Sequence, residues 1–237
     1  CCETSWYSWI VTPQIMDLIS ARQMISDCGA EFADWEVASS AAAAVSAAAG
    51  LGGPVAIKSA ASDVIHKSDS GCVVLGVAGG EAVEKAYAEV TTRAAAAGST
   101  TPERVLVETM TPGLAEVIIG LKRDKTFGAV VLVGLGGIFT EVLEDFVLRL
   151  CPVTEPEALD MFRELRGFPI LAGVRSKVCC DLDALTRLVV SISWLGNDRD
   201  DILELDLNPV MAMEQGALAV DARVVLNGRR EHGAYQA

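Results

Sequence analysis

Apolar positions along the chain follow two periods. In IMDLISARQMISDCGAEF (15–32) they return every three or four residues, which predicts a helix stopping near Gly29. SSAAAAVSAAAG (39–50) predicts a second helix, with serine at its start and Gly50 at its end. Its many alanines suit a helix packed closely on a sheet. A GGP turn then leads into VAIK, a short buried strand ending in Lys58. CVVLGV (72–77) predicts a strand, EAVEKAYAEVTTRAAAAG (81–98) an amphipathic helix, and RVLVETM (104–110) a strand followed by a Pro-Gly turn at 112–113.

Three apolar stretches open the second half: AEVIIGLK (115–122), AVVLVG (129–134) and FVLRLCP (146–152), all read as strands. EPEALDMFRELRG (155–167), opened by Thr154, and DLDALTRLVVSISWLG (181–196) read as helices. ILELDLNPV (202–210) and ALAVDARVVL (217–226) read as two closing strands joined by the turn EQG. Strands and helices are mixed without strict βαβ alternation, which predicts an α+β fold. The tail NGRREHGAYQA (227–237) has no periodicity and is expected to be mobile.

Charge and cysteine content narrow the function. The 237 residues carry a net charge of −13, which argues against a nucleic-acid surface, because phosphate contacts need clustered Lys and Arg. A small anion held by backbone N–H groups, a lysine or two and a metal ion remains compatible. No apolar run reaches the length of a membrane span. Cysteine occurs at 1, 2, 28, 72, 151, 179 and 180, an odd count of seven without a CxxC pair, and a reduced cytoplasmic compartment is the simplest reading. The opening CCETSWYSWIV lacks both an initiating Met and the features of a signal peptide, so a fragment of a longer product is expected.

Four stretches can carry chemistry. SAASDVIHKSDSG (59–71) holds His66, the one histidine outside the tail, among serines and a closing glycine that let backbone amides approach an anion. Imidazole can accept a phosphoryl group and pass it on; the plainer reading is an exposed loop residue. Lys58 just before it can reach a phosphate, although alone it reads as a solvated strand-end lysine. VGLGGIFTEVLED (133–145) places Gly136 among three glycines at a strand end, which a tight turn would also explain. In ELDLNPV, strand alternation puts Glu204, Asp206 and Asn208 on one face, and Asp221 on the next strand can join them. Such hard oxygen donors suit Mg²⁺, and a half-exposed sheet would show the same pattern. VLVETMTPGLAEVIIG carries Glu108 and Glu116 on either side of a turn. That turn is either a crossover between lobes that offers backbone groups to an adenine ring, or a hairpin with solvated acids.

Taken in order, Lys58, SDVIHKSDSG, VLVETMTPG, EVIIGLKRDKTFG, VVLVGLGGIFTEVLED, LELDLNPV and AVDARV resemble the ATP-grasp domain of NDP-forming acyl-CoA synthetases over residues 16–226. Acetate–CoA ligase (ADP-forming) is the typical member of that family, and succinyl-CoA synthetase β subunits are more distant. The resemblance implies an ATP-grasp fold of two α+β subdomains, 16–111 and 112–226, with the nucleotide between them, an extension at 1–15 and a tail at 227–237. It implies that Lys58 and the loop with Ser68 contact the phosphates of ATP or ADP, with Gly136 also in the nucleotide-contacting set. Glu108 to Met110 would form the adenine hinge, Glu116 would lie near ribose or metal, and Asn208, Asp221 and Asp206 would serve Mg²⁺. His66 would be transiently phosphorylated. Cys72 stands where the family usually has a second glycine, and VRSKVCC replaces an Arg-Gly run at 175–176.

The implied reaction is acyl-CoA + ADP + phosphate ⇌ carboxylate + CoA + ATP. This chain would move phosphate between a histidine and ADP. A CoA-binding α subunit, or further domains of the same polypeptide, would supply the CoA and carboxylic-acid sites. Two other functions fit parts of the pattern: a nucleotide-sensing regulatory domain of a protein acyltransferase, and a carboxylate–amine ligase of the same fold, which would not need His66.

Overall fold

The computed structural model describes residues 13–61, 71–137, 145–173 and 178–228. The chain begins with β1 (Gln14–Ile15), α1 (Leu18–Asp27) and β2 (Glu31–Phe32), and continues through β3 (Trp35–Ala38), α2 (Ala41–Leu51), β4 (Val55–Ser59), β5 (Val73–Val77), α3 (Gly80–Ala96) and β6 (Val105–Thr109). Then follow β7 (Ala115–Asp124), β8 (Gly128–Leu135), β9 (Phe146–Leu150), α4 (Glu155–Glu164), α5 (Phe168–Leu171), α6 (Leu182–Asp198), β10 (Ile202–Ala212), β11 (Ala217–Ala219) and β12 (Ala222–Leu226).

The strands form two sheets. The smaller has the order β3-β6-β4-β5, antiparallel throughout. Helices α2 and α3 cover one of its faces, burying Ala44, Ala47, Val83, Ala86 and Val90 against Val55, Ile57, Val105 and Val107. Alanine lets α2 lie close to its neighbours, as its composition suggests. Ser40 caps the helix by accepting from the Ala43 N–H, and Gly52, with φ of 72°, takes the chain out of it.

The larger sheet runs β1-β12-β10-β7-β8-β9, with β11 beside β10 and β2 beside β11. Its inner face shares one core with α1, α4, α5 and α6, containing Ile25, Phe162, Leu171, Ile192 and Leu207. The segment 14–32, most of which the sequence reading placed in the first subdomain, joins this larger layer. The helical stripe of α1 buries Ala21 and Ile25 in its core, and β1 and β2 hydrogen-bond to β12 and β11. The chain therefore starts in the larger layer, builds the smaller sheet from Trp35 to Thr109, and returns at Ala115.

Other differences have local causes. The helix expected to stop near Gly29 does so, spanning Leu18–Asp27 with Gly29 at φ of 93°, but the flanking Gln14–Ile15 and Glu31–Phe32 of the same stretch form strands. The closing strand expected over 217–226 is broken into β11 and β12. The register of β10 shifts between Leu207 and Val210, at Pro209, which has no N–H to give to a ladder. At that level the Val220 N–H donates to the Pro209 carbonyl at 2.9 Å, and Asp221 falls outside both strands. Among the described residues no helix is long and apolar enough to cross a membrane, and Cys28, Cys151, Cys179 and Cys180 are free thiols.

Ser193 ties α6 to the segment before α4. Its buried hydroxyl accepts from the Val153 N–H at 3.1 Å and donates to the Val190 carbonyl at 2.7 Å. Ser193→Ala leaves that amide without its acceptor, and such a loss costs about 1–3 kcal/mol. Urea denaturation should show a lower midpoint with an unchanged slope; an unchanged midpoint would show that this bond contributes nothing.

Candidate functional site

Alternation along β4 and β6 builds one wall of a cleft. Val55, Ile57, Val105 and Val107 face the helices, so Ala56, Lys58, Leu106 and Glu108 fall on the opposite face. Glu108 lies directly across from Ala56 and diagonal to Lys58. From there the chain passes to the other sheet at residues 110–114. The Met110 N–H donates to the Pro54 carbonyl at 3.2 Å on one side, and the Leu114 N–H to the Ala212 carbonyl at 2.8 Å on the other. The turn between Glu108 and Glu116 is therefore a crossover between sheets, not a hairpin.

The cleft beside this crossover brings together Lys58, Glu108, Met110, Glu116, Asn208 and Asp221. Ala56, Val73, Leu75 and Met211 add apolar lining to it. Asn208 and Asp221 come from the two sides of the break between β10 and the β11–β12 pair. That break turns a carboxylate and an amide into the cleft where a continuous ladder would have kept the strands paired. Among the described residues no group of three or more His, Cys, Asp or Glu is placed to hold a metal ion.

Lys58 is not a solvated strand-end lysine: it is 4% exposed. Its Nζ lies 2.5 Å from Glu108 Oε2 and donates to the Val220 carbonyl at 2.7 Å. Burial pushes its ammonium below the ordinary lysine range, and the Glu108 carboxylate opposes that shift. Glu108, 1% exposed, also accepts from Arg22 Nη2 on α1 at 2.6 Å through its other oxygen. Glu108 is thus a counter-ion shared by two cations, not a solvated acid.

The sequence reading missed Arg22. A signal for it existed: the buried stripe of α1 is Leu18, Ala21, Arg22 and Ile25, so the arginine occupies an apolar position of its own helix. Asp206 is not among the residues that line the cleft. It pairs in register with Arg223, and Leu205 and Leu207 beside it turn into the core as alternation predicts. Burial pushes its carboxyl up; Arg223 opposes this, while Asp221 and Glu204 add to it. His66 and Ser68 lie outside the described residues.

Gly136 backs onto Glu116. The Gly136 N–H donates to the Glu116 carbonyl at 2.7 Å, and a Cβ at Gly136 would stand 2.8 Å from Glu116 Cβ and 3.1 Å from its backbone carbon. Gly136 is therefore a close-approach glycine that lets β8 end against the start of β7.

Residues 13–226 match the ATP-grasp domain family. This chain is an ATP-grasp domain. The domain is 35% identical over 210 residues to the β subunit of acetate–CoA ligase (ADP-forming) I of Pyrococcus furiosus, covering 87% of this chain and 89% of that one. It is 40% identical over 199 residues to acetate–CoA ligase (ADP-forming) I of Archaeoglobus fulgidus, covering 84% of this chain but spanning only 29% of that ligase. Among solved structures, dinucleotide-forming acetyl-coenzyme A synthetase 1 of Ca. Korarchaeum cryptofilum, in complex with coenzyme A, Ca-AMPCP and HgCl+, superposes with a TM-score of 0.84 at 33% identity, over 90% of this chain and 93% of that one. A second structure of that protein, with coenzyme A and Mg-AMPPCP and its phosphohistidine segment pointing towards the nucleotide-binding site, matches with a TM-score of 0.76 at 32% identity, over 90% and 92%. The α+β architecture with two sheets is thus that of the ATP-grasp fold, a fold that binds nucleotide.

Because the Cβ of an alanine at 136 would press on backbone, Gly136→Ala should cost about 1–3 kcal/mol as an overpacking change. A thermal melt should fall by several degrees. A wild-type melt would mean that the β7–β8 contact yields without strain.

Proposed function

We propose that this ATP-grasp domain is the nucleotide-binding part of an ADP-forming acyl-CoA synthetase and passes a phosphoryl group between a histidine and ADP. One observation carries the reading. In a chain this similar to an acetate–CoA ligase β subunit, one cleft between the sheets gathers Lys58, Met110, Glu116, Asn208 and Asp221. The apolar lining from Ala56, Val73, Leu75 and Met211 suits a purine ring, with the crossover backbone at Met110 as the proposed reader of its edge. Glu116, paired in register with Met211, is the proposed partner of the ribose hydroxyls.

Lys58 faces the phosphates. An ammonium has three N–H donors; one goes to the Val220 carbonyl, and Glu108 Oε2 lies in ion-pair contact at 2.5 Å. A remaining N–H is the proposed donor to a phosphate oxygen. Asn208 and Asp221 fit Mg²⁺ in donor chemistry: both offer hard oxygens to the same cleft, and a site of two protein ligands is completed by phosphates and water. When bound, Mg²⁺ neutralises the charge that accumulates on the phosphates during transfer. In the direction of ATP synthesis a β-phosphate oxygen of ADP forms the new P–O bond as the P–N bond to histidine breaks, and the imidazole nitrogen keeps the electron pair.

His66 is the proposed acceptor on this chain. It follows β4, the strand that carries Lys58, and it is the one histidine outside the tail. The CoA and carboxylic-acid sites belong to a partner subunit or to further domains. The β-subunit name of the Pyrococcus furiosus relative and the 29% share of the Archaeoglobus fulgidus ligase support this division.

Two outcomes follow. Mg²⁺ should bind only weakly to the free domain and tightly with ADP, and Asp221→Ala should abolish that ADP-dependent binding in calorimetry. Tight Mg²⁺ binding without ADP that survives the substitution would remove Asn208 and Asp221 as ligands. In the complete synthetase, His66→Ala should abolish ATP formation from acyl-CoA, ADP and phosphate while ADP affinity stays near wild type. Labelled phosphate should also disappear from this chain under alkaline conditions that preserve phosphohistidine. Full turnover by the variant would take His66 out of the reaction.

A further inference from the structure

The proposed nucleotide site gives Arg22 no role, although its side chain is buried against Glu108 of the cleft wall. It is an arginine 1% exposed, carried by α1 of the larger layer. Its Nη2 donates both to Glu108 Oε1 of the smaller sheet, at 2.6 Å, and to the Val220 carbonyl of the larger one, at 2.5 Å. Its guanidinium carbon lies over two rings, 4.8 Å from the Phe32 centroid and 5.6 Å from that of Trp35. Its Nε and Nη1 have no hydrogen-bond partner among the described residues. The hydrogen bonding of this side chain is therefore concentrated in one nitrogen and directed at the two groups that also hold Lys58.

We propose that Arg22 is the positioning residue of the cleft: by fixing Glu108 and the Val220 carbonyl from α1, it sets where Lys58 stands for the phosphates. The inference rests on the nucleotide reading above. The reason is competition for acceptors. Lys58 and Arg22 share Glu108, one oxygen each, and share the Val220 carbonyl. With Arg22 in place, Lys58 has a single carboxylate oxygen beside it and keeps N–H capacity for the cleft. Without it, Glu108 is free to turn both oxygens to the ammonium and draw it back into the wall. The Val220 carbonyl would lose one of its two donors, and Asp221 is the next residue in the chain. Lysine at position 22 has neither the planar face for Phe32 and Trp35 nor a guanidinium to direct at both acceptors, so it can restore charge but not geometry.

The test is a double-substitution cycle read by Mg-ADP calorimetry on the wild-type chain, Arg22→Met, Lys58→Met and the double variant, with near-ultraviolet circular dichroism to confirm folding. Arg22→Met should weaken Mg-ADP by roughly tenfold, the scale of one charge-assisted contact. Lys58→Met should weaken it by at least as much, and the double variant should bind no more weakly than Lys58→Met alone. Arg22→Lys should recover part of the loss. A role confined to structure would give effects that multiply in the double variant, because the two substitutions would then act independently. That result, or wild-type affinity in Arg22→Met, overturns the proposal while leaving the nucleotide site intact. If Arg22→Met does not fold, the same cycle is run with Arg22→Lys, and full affinity in that variant overturns the proposal equally. Absence of Mg-ADP binding to the wild-type chain would overturn the nucleotide reading itself, and the role of Arg22 with it.

Discussion

A single buried carboxylate organises this domain. Glu108 sits at the end of the smaller sheet with one oxygen on Lys58 and the other on Arg22, and all three side chains are almost fully removed from water. Charges in such a place are costly unless every one is paired. Removing one partner from a buried pair costs about 3–5 kcal/mol, because the other is left uncompensated. The three residues are therefore held to one arrangement, and that arrangement spans both sheets: Lys58 and Glu108 belong to the smaller, Arg22 and the Val220 carbonyl to the larger. The cleft takes its shape from this contact.

The second constraint is a break in hydrogen bonding. The register of β10 shifts around Asn208 and Pro209, and the facing strand parts into β11 and β12 at Val220 and Asp221. A backbone carbonyl that a continuous ladder would have used is thereby offered to Lys58 and Arg22. Asn208 and Asp221 are turned to the same space. The charge hub and the acidic end of the cleft thus meet at one pair of residues, Val220 and Asp221. The family to which the chain belongs binds nucleotide, and these are the features of this particular chain that shape its cleft for a charged ligand.

Much of this was legible in order along the chain. The helices over α2, α3, α4 and α6 and the strands from β4 to β10 follow from apolar period and capping residues, whereas β1, β2 and β3 gave no strand pattern that was read, and the motif order pointed to the ATP-grasp family. Alternation in ELDLNPV placed Leu205 and Leu207 in the core and left Asp206 and Asn208 on the other face. The same rule applied to VAIK and VLVET puts Lys58 and Glu108 on one face, away from Ile57 and Val107. It does not say what that face meets.

What the sequence alone determined is therefore local: which segments form helices or strands, which side of each is apolar, and which residue types are present to handle a phosphate and a metal ion. Period and capping are properties of neighbours in the chain, and they survive without tertiary contacts. Three things were decided only by the tertiary structure. The segment 14–32 joins the larger layer, because β1 and β2 find their partners in β12 and β11, some two hundred residues away. The strand predicted over 217–226 is split by pairing with a partner whose register shifts. Lys58 is buried and paired, because Glu108, Arg22 and Val220 converge on it from three distant elements. Burial and pairing are properties of the packed whole, and so a lysine that reads as solvated in its own segment becomes part of the hub around which the cleft is built.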